Sequence, residues 1–245
     1  MTKRLAAAVL PLCLAVTALG IGGTTAQSQV PHQSPVNVTP GAVRVDPSQP
    51  ALAIHYGHSD LELEYIQKDA TDPAGCTTRN AEETEEAEVT PGAGYVTLAG
   101  TRYDLQQFHF HTPSEHRFNG HADPIEMHLV HKSAAGRILV VGVPLRIGTA
   151  STVDTVLARL APECGAPVDI HHIDLNSLLP ANHSTLRYTG SLTTAPYTEG
   201  VQWFLMAEKT VTQSTVNRFT NTFPHGNARA TQPLNGRHLT AVPQN

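Results

Sequence analysis

Gln107-Phe108-His109-Phe110-His111-Thr112-Pro113-Ser114-Glu115-His116, followed shortly by Glu126-Met127-His128-Leu129-Val130-His131, is the stretch that decides the fold and the chemistry of this chain. On a strand, side chains alternate between faces, so Gln107, His109 and His111 point one way and Phe108 and Phe110 point into a core. The second segment repeats the pattern: Glu126, His128 and Val130 share a face, and Met127, Leu129 and His131 share the opposite one. If the two strands are neighbours, three imidazoles meet at one point. Three neutral nitrogen donors with an open fourth position make a catalytic zinc site rather than a structural one. Gln107 and Glu126 each stand two residues before a histidine, where each could accept the outward N–H of a ligating imidazole.

The rest of the chain is consistent with a strand-rich domain. It has 245 residues, 16 Lys+Arg against 21 Asp+Glu, 40% hydrophobic and 15% charged residues, and a formal charge of -5. That composition belongs to a folded globular protein. With no basic excess, nucleic acid and anionic membranes are excluded as expected partners. Eighteen Gly and eighteen Pro favour turns between short strands. Leu61, Leu63 and Tyr65 alternate with Glu62 and Glu64 as in a half-buried strand. Tyr95–Leu98 and Arg102–His111 flank Ala99-Gly100-Thr101 as a hairpin, and Ile125–His131, Ile138–Leu145 and Val201–Lys209 read as further strands. Helical pattern is confined to Val153–Leu160 and to Val216, Phe219 and Phe223 after Ser214. The polar segment Asp69–Thr84 reads as a surface loop. The expectation is a mainly β protein with short peripheral helices.

The N-terminus carries a different message. Met1-Thr2-Lys3-Arg4, the apolar run Leu5–Gly20 and the small residues Thr24-Thr25-Ala26 form a secretory signal with cleavage after Ala26. We expect residues 1–26 to be removed and 27–245 to form a single domain, exported to the periplasm or the extracellular medium with no membrane anchor. Cys13 leaves with the signal, and Cys76 and Cys164 have only one pairing open to them in an oxidising compartment. That bridge would close a loop of 164 − 76 = 88 residues, worth ~4–5 kcal/mol in the loop-entropy picture. The sequence carries no mark of an oligomeric state.

Around these residues the chain resembles the α-class carbonic anhydrases. Gln33-Ser34-Pro35-Val36-Asn37-Val38 is similar to the family's opening segment, and Gln107 to His131 carries both ligand strands with Ser114-Glu115-His116 between them. Gly190-Ser191-Leu192-Thr193-Thr194 with Pro196 and Val201-Gln202-Trp203 resembles the active-site threonine loop. Asn227-Ala228-Arg229 and Gln232-Pro233-Leu234 with Arg237 resemble the closing segment. The resemblance implies a large twisted, mostly antiparallel sheet and a zinc lyase that interconverts carbon dioxide and bicarbonate. It implies His109, His111 and His128 as zinc ligands, supported by Gln107 and Glu126. It makes Thr193 the threonine beside the nucleophile and Glu115 the acceptor of its hydroxyl proton. Val130, Val140, Leu192, Val201 and Trp203 match the apolar wall of the substrate pocket, and Thr194 lies in the same loop.

Departures from the family pattern are also visible. Only Gln27–His32 separates the expected cleavage point from Gln33, leaving no room for the family's Trp-containing segment. The strand that usually carries a proton-relaying histidine reads Ala81-Glu82-Glu83-Thr84-Glu85-Glu86-Ala87-Glu88, so Glu85 or Glu86 falls near that position, and His58 is the next candidate relay. The acidic run itself reads as a solvated face. Both cysteines that many exported relatives pair are absent, which makes Cys76–Cys164 a replacement staple. His116, His131, His171 and His172 read as structural or solvent-facing, and Tyr188 as part of the network behind Glu115. Two rival readings stand beside the lyase: a zinc-holding module without turnover, and a cupin-type iron or manganese site with Glu115 as a ligand.

Overall fold

Buried side chains change parity within the strand that carries the histidine pair. Tyr103 and Leu105 are core residues, and so are Phe108 and Phe110. A register shift between Leu105 and Gln107 against the neighbouring strand causes the change. One extra residue in a strand turns the following side chains to the opposite face. Gln107, His109 and His111 therefore face away from the core that holds Phe108 and Phe110.

The structure, a computed structural model, describes residues 30–66, 83–163 and 165–244. The expected signal segment 1–26 and both Cys76 and Cys164 lie outside the described residues, as does most of the expected loop at 69–84. Within it, Glu83 and Thr84 are buried, and Thr84 already begins a strand.

In chain order the strands are β1 (Asn37–Val38), β2 (Val43–Val45), β3 (Leu52–Tyr56), β4 (His58–Ile66), β5 (Thr84–Val89), β6 (Gly94–Leu98), β7 (Thr101–His111) and β8 (Arg117–Phe118). They continue with β9 (Ile125–Ser133), β10 (Ile138–Ile147), β11 (Val168–Asp174), β12 (Thr185–Ser191), β13 (Glu199–Leu205), β14 (Lys209–Val211) and β15 (Leu239–Val242). The helices are α1 (Thr152–Val156) and α2 (Gln213–Thr222). Thirteen strands form one mixed sheet in the order β11-β4-β5-β7-β9-β10-β13-β12-β15-β2, with β3, β6 and β14 paired beside this path. Antiparallel pairings predominate in this sheet, where the parallel ones are β10 with β13 and β14, and β15 with β2; β1 and β8 form a separate parallel pair.

The β6–β7 hairpin turns on two residues, Ala99 (φ 46°) and Gly100 (φ 77°), with Leu98 and Thr101 already paired. Positive φ at both central positions matches the right-handed twist of the flanking strands. The expected strand Val201–Lys209 is broken: β13 pairs β10 as far as Gly142↔Leu205, and β14 resumes at Leu145↔Lys209. Pro144 lies in the gap and has no N–H for a ladder. The expected helix Val153–Leu160 is shorter than its apolar pattern, because Leu157 leaves helical backbone with ψ 9°. Asp154 joins α1 to α2 by accepting from the backbone and hydroxyl of Thr212 and from the hydroxyl of Thr215.

The continuous apolar run of β10 is explained by burial on both faces. Leu139, Val141, Val143 and Leu145 pack with Met127, Leu129, Phe108 and Phe110 in one cluster. Val140 packs on the other side with Val201, Trp203, Tyr188 and Val36. His128 meets this second cluster at Trp203, with ring centroids 4.8 Å apart.

Candidate metal centre

Register places the imidazoles together. His109 pairs directly with His128 across β7 and β9, and His111 pairs with Glu126. Ring centroids are 5.0 Å apart for His109–His111, 5.3 Å for His109–His128 and 4.7 Å for His111–His128. One ligand nitrogen from each of the three lies within 4.8 Å of the other two.

The outward nitrogen of each ring meets an oxygen. His109 Nδ1 is 2.9 Å from Gln107 Oε1, His111 Nδ1 is 3.1 Å from the Asn227 carbonyl, and His128 Nε2 is 3.0 Å from Glu126 Oε1. A carbonyl or carboxylate only accepts, so each of these ring nitrogens carries the proton and donates. The inward atoms, His109 Nε2, His111 Nε2 and His128 Nδ1, therefore keep their lone pairs. Three convergent neutral imidazoles with fixed tautomers fit zinc by donor chemistry. The sequence placed Gln107 and Glu126 here, but not Asn227. Its contribution is a main-chain carbonyl, which no side-chain pattern reports, while its side chain pins the loop by accepting from Thr112 N and donating to Glu83 O and Phe110 O.

Glu126 is fully buried and accepts from His116 N (2.8 Å), His116 Nδ1 (2.7 Å) and His128 Nε2 (3.0 Å). Burial opposes its ionisation, yet His116 and His128 outweigh that and hold the carboxyl well below its ordinary range. Gly142 leaves room for the group: a Cβ there would meet Leu205 Cδ2 at 2.9 Å and Glu126 Oε1 at 3.0 Å. His116 is fully buried rather than solvent-facing, and its Nε2 lies 2.6 Å from Tyr188 Oη. Tyr188 in turn donates to Ser34 Oγ. The tyrosine thus braces His116 behind Glu126.

Glu115 is buried and accepts at Oε1 from Arg229 N at 2.8 Å. It also accepts the side-chain hydrogen bond of Thr193. Burial pushes its carboxyl up to about 7, against the pull of His128, Arg229 N and Thr193. Glu115 Oε2 stands 3.9 Å from His128 Nδ1. Trp203 donates from Nε1 to Ser191 O at 2.9 Å, which ties the threonine loop to the sheet. Val140, Val201 and Trp203 are buried together, with Val130 and Leu192 packed against them, and Thr194 is half-buried beside Thr193.

Two of the three candidate relays lie away from this centre. Glu86 pairs with His109, and its Oε2 accepts from Gln107 Nε2 at 2.7 Å. Glu85, one residue earlier on the same strand, points to the opposite face, where Oε2 accepts from Ala161 N at 3.1 Å. It is buried, not a solvated acid, and burial pushes its carboxyl up to about 8. His58 is six residues along β4 from Glu64, the cross-strand partner of Glu86. At ~3.3 Å per residue that is roughly 20 Å from the imidazoles. Its ring stacks on His172 instead, with centroids 4.4 Å apart.

Fold and site together define a mainly β enzyme scaffold in which three convergent imidazoles could hold a metal ion. The chain belongs to the carbonic anhydrase family: residues 23–243 match the family described as eukaryotic-type carbonic anhydrase. A carbonic anhydrase of Klebsiella pneumoniae is 37% identical over 182 residues, covering 73% of this chain and 72% of that protein. One from Neisseria gonorrhoeae is 31% identical over 208 residues, covering 84% and 75%. Among solved structures, the α-carbonic anhydrase of Thermovibrio ammonificans in complex with sulfanilamide is similar with a TM-score of 0.72. It is 30% identical, covering 85% of this chain and 86% of that one.

Proposed function

We propose that this enzyme catalyses the reversible hydration of carbon dioxide to bicarbonate and a proton at a zinc ion held by His109, His111 and His128. The observation that carries the reading is the matched set of outward acceptors, which leaves three lone pairs aimed at one point. Zinc, when bound there, would supply a water acidified from ~15.7 to ~7, a figure whose reference case is carbonic anhydrase itself. The protein's own groups do the rest. Thr193 donates to Glu115, so its oxygen is left to accept and selects a nucleophile that carries a hydrogen. With zinc bound, this accepting oxygen would help to orient the nucleophile toward the apolar wall. Val130, Val140, Leu192, Val201 and Trp203 give carbon dioxide an apolar wall, which suits a molecule with almost nothing to hydrogen-bond.

A stopped-flow hydration assay tests this. Wild-type protein should hydrate carbon dioxide, and His128→Ala should lose both zinc and activity. A wild type that holds zinc but shows no hydration would leave the binding module as the correct reading.

Export is part of the same proposal. Lys3 and Arg4, the apolar run Leu5–Gly20 and the small residues before Gln27 support it. Mature protein recovered from the periplasm or medium should begin at Gln27.

A further inference from the structure

We propose that Glu86 is a positioning residue: its carboxylate locks the amide of Gln107, and through it the tautomer of His109. The proposal rests on the zinc reading above and deepens it.

Gln107 sits between two partners with different demands. Its Nε2 donates to Glu86 Oε2 at 2.7 Å, and its Oε1 lies 2.9 Å from His109 Nδ1. An amide is nearly symmetric in shape, so packing alone distinguishes its two ends poorly. Hydrogen bonding distinguishes them well. The Glu86 oxygen accepts in this bond, so it requires the NH2 end of Gln107. The carbonyl end must then face His109, whose Nδ1 must carry the proton, and Nε2 is left with its lone pair inward.

Without Glu86, the amide is free to rotate by half a turn and present NH2 to His109 Nδ1. That nitrogen would then accept, and the ring proton would move to Nε2, where it blocks a metal. His111 and His128 need no such lock, since their acceptors are a main-chain carbonyl and a carboxylate. His109 alone relies on a group able to turn either way.

The backbone fixes the geometry. Glu86 and His109 are cross-strand partners on β5 and β7, and Gln107 pairs with Glu88 one step further along the same face. Glu86 also faces Glu64 across β4 and β5. Like charges directly opposite on neighbouring strands are destabilising.

The test uses full-length mature protein and zinc itself. Zinc dissociation constants are measured by chelator competition for wild type, Glu86→Ala, Glu86→Gln and Glu64→Gln. The His109 Nδ1–H signal is followed by 15N-edited NMR. Glu86→Ala should weaken zinc binding ~10-fold or more and lose or shift that signal. Glu86→Gln still offers an acceptor oxygen but can itself turn, so its loss should be smaller than that of Glu86→Ala without returning to the wild-type value. Glu64→Gln removes the same charge without touching Gln107 through these bonds and should change nothing. Unchanged affinity and signal in Glu86→Ala would overturn the lock. Equal losses in Glu86→Gln and Glu64→Gln would also overturn it, by assigning the effect to charge alone. A wild type that binds no zinc would overturn the underlying reading as well, and is told apart by the first measurement.

Discussion

His116 and Glu126 meet twice. The backbone N–H of His116 donates to Glu126 Oε2 at 2.8 Å, and its ring Nδ1 to Oε1 at 2.7 Å, with both residues fully buried. One histidine thus satisfies both oxygens of the carboxylate that orients His128. Because Glu126 is held ionised by its partners, losing one leaves a buried charge under-compensated. His116→Ala should therefore cost ~3–5 kcal/mol, the scale for breaking a buried pair. It should also weaken zinc binding through His128. Urea unfolding of the two proteins measures the first effect, and a loss under ~1 kcal/mol would contradict it.

Glu85 links stability to pH. Its carboxyl is pushed up to about 8 in the folded protein, while 4.5 is its ordinary value. Between those values the unfolded chain is ionised and the folded one holds the proton. The group's contribution is complete below about 4.5 and is lost as pH rises toward about 8. Glu85→Gln has no proton to lose, so its advantage over wild type should grow across that window. By pH 8 it should reach ~1–3 kcal/mol, given burial and the retained Ala161 bond. Paired thermal unfolding at pH 5 and pH 8 checks it; a constant difference would remove Glu85 as the cause.

The contrast between Glu85 and Glu86 shows what the sequence held and what it did not. Strand parity in Gln107–His111 and Glu126–Val130 was enough to place three imidazoles and two acceptors on one face. Even the bulge at Leu105/Gln107 leaves a trace, in the phase break between Tyr103, Leu105 and Phe108, Phe110. Sequence alone left Glu85 and Glu86 as equal candidates because a one-residue uncertainty in register swaps the faces of a strand. His58 was misplaced for a related reason, since distance along β4 depends on which of its residues meets Glu86. Asn227 and Arg229 act on the site through main-chain atoms, and main-chain atoms have no letter in the sequence.

Proton release is the third consequence. Strand β5 reads Thr-Glu-Glu-Ala-Glu-Val and holds no histidine, and Glu86 is engaged by Gln107. A carboxylate near ~4.3 takes a proton from a donor near ~7 uphill by about 3–4 kcal/mol. Turnover should therefore be limited by proton release at low buffer concentration, and imidazole-type buffers should raise it to a plateau. Stopped-flow rates over a buffer series measure this. Full turnover indifferent to buffer would require an internal relay that this account does not contain.

Cys76 and Cys164 are the only cysteines left once residues 1–26 are removed. We expect them bridged in exported protein, which makes the non-reduced mass two hydrogens lighter than the reduced one. Two alkylatable thiols in fresh material would rule the bridge out.

The central claim is that three imidazoles hold one zinc ion and that hydration depends on it. Stripping the protein with a chelator and titrating zinc back while following carbon dioxide hydration tests it most directly. The account predicts activity that starts near zero, rises linearly and stops rising at one equivalent of zinc per chain. Full activity before any zinc is added, or none after saturation, would contradict it.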